Sequence, residues 1–404
     1  MAPFDSTLHL RRDPYRFVGK TCAKIGSDAF KSRLMLEPTV FLSGVEAARF
    51  FYDTTVFKRH GAAPGFLKKT LFGEGGVQGL DDAAHRHRKA LFLDLVGPGR
   101  TDDLTRQTVA AINALLRKPG RIVLQDAFER ILTRSVCDWA GTPLTDGEIP
   151  AHSRMLSHLF EHAGAVDHRQ LLARWARKRA DRWAAGRIAD ARSGRAATRT
   201  GSVVHRIATW RDLEGNLLDE HVAAVELLNV LRPFVAISAF LTFVAVTLAT
   251  RPLEVSALRL DPARTMWFIQ EVRRTAPFFP LLAARARAAT QWRKHHIAAN
   301  GLVALEIWGT NRDHTAWNDP DVFRPERFKD WSGDPFTMVP QGGGDHANNH
   351  RCPGEWVTQD LMVAATRILI ERIDWRALPD QNLDLNMFKL PALPKDRFIV
   401  EVPN

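Results

Sequence analysis

One stretch of this chain gathers residues able to do redox or metal chemistry: Pro340 to Glu355, reading PQGGGDHANNHRCPGE. Three consecutive glycines permit tight, positive-φ turns and let backbone approach a flat ligand closely. Cys352 lies between Arg351 and Pro353-Gly354, just ahead of a segment with helical periodicity. A thiolate at a helix N-terminus is stabilised by the helix dipole and by unpaired amides. Taken alone, such a cysteine can be a nucleophile, a metal ligand or an inert core thiol, since free cysteine is among the most buried residue types.

Two other groupings bear on that choice. Glu271-Val-Arg-Arg274 has helical spacing, which puts a carboxylate and a guanidinium on one face. Phe323-Arg324-Pro325-Glu326-Arg327-Phe328 follows it, ahead of the cysteine loop. The second grouping is Arg232-Pro233, set inside the very apolar run Val222–Ala249. Burying an unpaired guanidinium is costly, so Arg232 needs an anionic partner. Glu226, six residues away and off the same face, is a poor candidate. Pro233 removes one amide donor and should bend the helix locally. The arginine is then either a seat for a ligand carboxylate, held by a bidentate pair, or one half of an internal ion pair with a distant acid.

The elements that must position these residues read as mainly helical. Val45–Tyr52, Ala84–Leu95, Leu104–Arg117, Asp126–Ala140 and Glu355–Ile373 carry apolar residues at three- and four-residue intervals. Strand signals are few: Thr39–Leu42, and Gln291–Ile307, where an Asn-Gly turn separates two alternating runs. The clean apolar part of the central run, Phe234–Ala249, has 16 residues. A membrane span needs about 20, so this is read as a core helix, with no membrane span. The 404 residues, 45% hydrophobic, suffice for one large body over 1–404. Three scattered cysteines without a Cys-x-x-Cys pair exclude a disulfide framework and weaken zinc and iron–sulfur readings. The N-terminus lacks an apolar h-region, which points to a cytoplasmic protein.

The net charge of +11 draws heavily on Arg169–Arg199. Its Leu, Trp and Ala recur at helical spacing, predicting an amphipathic surface helix with a basic outer face. A basic face can contact nucleic acid or anionic membranes, but it is more often simply solvated. Gly73-Glu-Gly75-Gly76 lacks the third glycine and the strand–helix context of a dinucleotide loop, which excludes that reading.

Taken in order, Glu-x-x-Arg, the Pro-Glu-Arg-Phe motif and the glycine-rich cysteine loop resemble the cytochrome P-450 superfamily. The resemblance implies a mainly α fold with a small β component, and haem b whose iron takes Cys352 as its axial thiolate. Such a thiolate pushes electron density onto iron and favours oxygen–oxygen cleavage. It implies structural roles for Glu271, Arg274 and Arg327, and places Gly343 and Gly354 in the haem-binding loop. His85, Arg88 and Lys89 in AAHRHRKALF would hold the propionates; their charge pattern alone also fits a basic surface turn. Two departures stand out. The loop lacks the usual Phe-x-x-Gly pattern, and Arg232-Pro233 replaces the acid–threonine pair that serves dioxygen activation.

That Arg-Pro, with AAVELLNVLRPFVAIS, QEVRRTAPFFP, GTNRDHTAW, PQGGGDH and HRCPGEW, resembles the bacterial fatty-acid peroxygenases, most nearly their α-hydroxylating members. This implies hydroxylation of a long-chain fatty acid at the α or β carbon by hydrogen peroxide, with no obligatory redox partner and no nucleic acid. The substrate carboxylate on Arg232 would act as general acid–base. Arg232, Pro233 and Gln78 carry catalytic roles by the same resemblance, and Phe72, Phe278 and Leu281 contact the substrate. Gln78 stands where alkene-forming members have histidine, which argues for hydroxylation over decarboxylation to terminal alkenes. Phe72 stands where α-selective members often have a smaller aliphatic residue, which leaves α against β open. The competing readings are a dioxygen-dependent monooxygenase fed by a ferredoxin, and a non-catalytic haem or nucleic-acid binder. Strongly salt-dependent DNA binding would mark the last of these.

Overall fold

The run around Arg232 forms a 31-residue helix, Glu220–Thr250, in the middle of the molecule. Asp219 caps it, its carboxylate accepting from the amides of His221 at 2.9 Å and Val222 at 3.3 Å. Between Ala223 and Ala245 every residue but Pro233 is buried. A helix apolar on all sides needs partners on all sides. Here they are the helices Leu124–Ala140, Ile149–Glu161, His168–Ser193 and Glu355–Glu371. By length and composition this helix could cross a bilayer, but its faces are committed to protein. The computed structural model describes residues 2–165, 167–195, 199–371 and 375–404.

The other helices lie close to the predicted spans: Val45–Phe51, Asp82–Val96, Asp102–Leu115 and Leu124–Ala140. The helix after Cys352 runs Glu355–Glu371, and the predicted end at Ile373 falls outside the described residues. Two expectations fail. The Asn300-Gly301 turn does not join paired strands. Thr290–Trp292 pairs with His295–Ile297 across Arg293-Lys294, whereas Leu302–Glu306 enters another sheet. Arg293 takes the positive φ that the tight turn requires. That other sheet has five strands, with Leu302–Glu306 parallel to Glu37–Leu42 and antiparallel to Leu281–Ala286.

The arginine-rich helix is also not amphipathic in the expected way. It spans His168–Ser193 and buries small residues, Ala173, Ala176, Ala180 and Ala184, together with Ile188 and Arg177. Leu171, Leu172 and Trp175 face outward instead. Alanines allow close approach to the neighbouring helices, so the large apolar residues are left on the other face. Positions 196–198 of the predicted stretch lie outside the described residues.

Glu271 organises the segment that carries the cysteine loop. Its carboxylate receives Arg274 Nε at 2.7 Å and Nη2 at 2.8 Å, Arg327 Nε at 3.2 Å and the Arg324 amide at 2.8 Å. Arg274 Nη1 continues to the carbonyl of Asn311, whose side-chain oxygen accepts from the Val339 amide at 2.7 Å. The chain just before the loop is thereby tied to a fully buried carboxylate. Removing one member of such a set leaves buried charge uncompensated, at about 3–5 kcal/mol. Glu271→Ala should therefore lose most of its folded, haem-loaded protein, read as melting temperature and as haem absorbance per mole of chain.

Candidate functional site

A cavity lies between the central helix and the cysteine loop. Cys352, Pro353, Gly354 and Gly342 line one wall. The Cys352 amide donates to the Gln341 carbonyl at 2.9 Å, closing the loop at the cysteine. Gly342 and Gly344 have φ of 95° and 81°, where glycine is favoured. Gly343 does not line the cavity. It packs behind it, where a Cβ would meet the Pro335 carbonyl at 2.8 Å. Burial pushes the Cys352 thiol up, while the Gly354 amide and Lys89 act the other way. Behind the loop, burial raises Glu355, but Arg273 together with hydrogen bonds from His346 and Arg351 outweighs it and holds the carboxyl well below its usual range.

Around one edge of the cavity stand Arg59, His85, Lys89 and His350. Burial first, and Lys89 second, bring His85 down to about 4, and its ring stacks on His350 at 3.9 Å. Burial lowers Lys89 to about 8, with its Nζ donating to the Asn349 carbonyl at 3.2 Å and to that of Arg351. The described lining contains no Asp or Glu. A cysteine on one wall, a glycine turn beside it and cations at one edge without acids suit a planar group bearing a soft metal and two carboxylates. The residues present fit a haem, with Cys352 on the iron and Arg59, His85 and Lys89 toward the propionates.

Arg88 is a correction. It does not line the cavity; its Nη1 donates to Glu226 Oε1 at 2.7 Å, in a pair nearly closed to solvent. Leu281 is another. It packs on the N-terminal cluster of Leu10, Val18 and Phe41, and its neighbour Leu282 reaches the cavity instead. Strand alternation explains the swap, since successive side chains point to opposite faces. Sequence reasoning missed Arg59, His350, Asn229 and Tyr52 in the lining. His350 and Asn229 lie within segments already singled out, but nothing in their spacing sets them apart; Tyr52 and Arg59 come from a segment distant in sequence.

Opposite the cysteine, Arg232 and Pro233 line the cavity from the central helix. Arg232 is 5% exposed and forms no ion pair among the described residues, and its Nη1 has no hydrogen-bond partner. Burial first, then the like charge of Arg177, draw Arg232 down to about 9, while Cys352 and Glu226 raise it. Arg177, itself buried, bonds Asp181 through Nε at 2.7 Å and lies where a Cβ on Gly73 would meet its Nη2 at 2.2 Å. Gly73 has φ 82° and follows Phe72, which faces the cavity.

Gln78 also lines the cavity, and its carbonyl accepts from Asn229 Nδ2 at 3.2 Å. Asn229 Nδ2 donates as well to Glu226 Oε2 at 2.9 Å. The chain Arg88–Glu226–Asn229–Gln78 thus fixes which way the Gln78 amide points: its oxygen is taken and its N–H donors are free for a ligand. The rest of the cavity is apolar, with Phe240 and Phe278 stacked at 4.5 Å and Phe160, Leu390 and Pro391 farther out. Ser238 and Thr242 of the central helix do not line the cavity and are both engaged by Gln125 of a neighbouring helix.

The cytochrome P-450 family profile matches residues 265–402. Cytochrome P450SP alpha, solved in complex with (R)-ibuprophen, shares 45% identity at a TM-score of 0.94, over 99% of this chain and 98% of that one. Cytochrome P450EX alpha, solved with myristic acid, shares 37% at a TM-score of 0.93, over 99% and 97%. Among curated relatives, cytochrome P-450 71D18 of Mentha gracilis is 32% identical over 143 residues, 33% of this chain and 28% of that protein. The chain thus spans little more than a quarter of the length of that relative.

If Arg88 serves Glu226 rather than a propionate, Arg88→Met alone should cost about 3–5 kcal/mol by stranding a buried carboxylate. The double variant Arg88→Met/Glu226→Leu should then recover most of that loss. Haem loading of the double variant matching the parent, measured by Soret absorbance, checks the assignment; a propionate role would leave the double variant impaired.

Proposed function

This chain belongs to the cytochrome P-450 family, in the fatty-acid peroxygenase subfamily it resembles in sequence, and from that premise we propose that it hydroxylates long-chain fatty acids with hydrogen peroxide. As a family member it is an oxidoreductase with a thiolate-ligated haem. The reading here adds haem b, Cys352 as the ligand, one domain over 1–404 and a cytoplasmic location.

The observation that carries the proposal is a buried guanidinium without an acid, facing an apolar cavity opposite the cysteine. Leaving it uncompensated is costly. A ligand carboxylate answers that need, and the apolar wall of Phe72, Phe240, Phe278 and Phe160 answers an alkyl chain. Two similar proteins have been solved with carboxylic acids, which supports the same assignment.

When bound, the haem supplies the oxidative chemistry. The chain's own residues do the rest. Arg232 holds the carboxylate by charge-assisted hydrogen bonds, and so fixes which carbons lie nearest the thiolate side of the cavity. The held carboxylate is itself a base and acid within reach of a peroxide O–H, the role an acidic side chain would otherwise fill. Gln78 offers amide donors at the same place, and cannot itself take up a proton at neutral pH. Arg177 raises the local positive potential without touching the ligand. No redox partner and no nucleic acid enter this scheme. Regiochemistry follows the depth at which Phe72 lets the chain settle, at the α carbon, the β carbon or both. Decarboxylation to a terminal alkene is disfavoured by the non-titrating Gln78.

The test mixes haem-loaded protein with myristic acid and hydrogen peroxide, without reductase, beside Arg232→Ala. Hydroxy acids from the parent are expected, with a drop on the order of 100-fold in the variant once the carboxylate is no longer positioned. Gln78→His should raise the share of terminal alkene. Turnover restored only by a ferredoxin and its reductase would overturn the peroxide assignment.

A further inference from the structure

Several large apolar side chains are left on the surface in segments that adjoin the cavity wall. On the first turns of the His168–Ser193 helix, Leu171, Leu172 and Trp175 are exposed, Trp175 by 78%. Phe388 is 68% exposed in the loop that continues into Leu390 and Pro391, two residues of the cavity wall. Leu390 also rests against Gly164, in the turn that leads to the same helix. The charges of Arg169 and Lys389 both bear on His162, which sets the helix start and the loop side by side.

The N-terminal segment touches the same loop and carries exposed apolar residues of its own. Tyr15 donates its hydroxyl to the Lys389 carbonyl at 3.1 Å. Leu8, Met35 and Leu36 are exposed, and Leu36 and Met35 donate their amides to Asp5 at 2.9 Å and Thr7 at 2.6 Å. Scattered single apolar residues need no explanation, but Leu171, Leu172 and Trp175 on one helix beside the Phe388 loop do. Basic residues rim them: Arg174, Lys178, Arg179 and Arg182 continue the exposed face beyond Trp175, and Lys389 neighbours Phe388. None of these five is in an ion pair among the described residues.

We propose that this rim docks on an anionic lipid surface, so that the cavity opens against the phase that holds a long-chain acid. Exposed aromatic and aliphatic groups with unpaired cations on the same helix and loop suit the boundary between headgroups and acyl chains. A second copy of this chain is the less fitting occupant, because it would bring two arrays of uncompensated positive charge face to face. The docking takes from the proposed function only that the ligand is lipid-soluble.

The experiment sediments haem-loaded protein with vesicles and no substrate, so its outcome stands apart from any peroxide assay. Vesicles of mixed phosphatidylglycerol and phosphatidylcholine should bind the protein at least about tenfold better than phosphatidylcholine alone, and binding should weaken between about 50 mM and about 500 mM salt. The variant Leu172→Ser/Trp175→Ser/Phe388→Ser should lose about tenfold in vesicle binding. It should keep the parent's melting temperature and its turnover of a fatty acid supplied free in solution. Absence of sedimentation with anionic vesicles, or equal binding by the triple variant, overturns the proposal. So does a dimer in analytical ultracentrifugation that Trp175→Ser converts to monomer, since a second copy would then cover the rim.

Discussion

The structure is arranged around a buried positive charge, Arg232, that no acid among the described residues pairs with. Taking a guanidinium out of water costs several kcal/mol unless an anion goes with it. Arg232 is held in that condition by a long helix whose surroundings are apolar and by Arg177, whose charge adds to the same potential. Packing on every side of the helix keeps the arginine from swinging to solvent. The cost is sustained by the extensive burial of Glu220–Thr250 and is relieved when an acid enters. In the proposed function, affinity for a carboxylate and the geometry of its placement therefore have one origin.

Two rigid frames meet across the cavity. One is the central helix with its four packing partners, which carries Arg232, Pro233 and Asn229. The other is the Glu271–Arg274–Arg327 set, which acts through Asn311 on the chain entering the cysteine loop. The second is built on a buried carboxylate with several hydrogen bonds, an arrangement that is expensive to break and so fixes position well.

Much of this was legible in the sequence because it is local. Helices such as Leu124–Ala140 announce themselves by periodicity, and the cysteine loop by composition. Arg232 stood out because a charge in an apolar run needs a reason. What was not legible depends on long-range contact. Arg59 and His350 reach the cavity edge from segments separated by nearly 300 positions. The exposure of Trp175 depends on alanines winning the buried face, a choice made by the spacing to neighbouring helices rather than by hydrophobicity. Leu281 and Leu282 differ only in strand register, which periodicity does not assign when both neighbours are leucine.

Arg88 shows why a charge pattern misleads without its partner. In AAHRHRKALF three basic residues looked equivalent, yet one of them faces Glu226 on the central helix. That pairing decides more than its own role. Glu226, Asn229 and Arg232 lie at three-residue steps along one helix, so an unpaired Glu226 would lend negative charge to the seat. With Arg88 on one carboxylate oxygen and Asn229 on the other, Glu226 is satisfied within the protein and forms no ion pair with Arg232 among the described residues. The same contact that takes Arg88 away from the cofactor edge leaves Arg232 without a counter-charge and holds Gln78, through Asn229, with its donors toward the ligand. In the proposed function, the positive seat is therefore built by pairing the helix's own acid with Arg88.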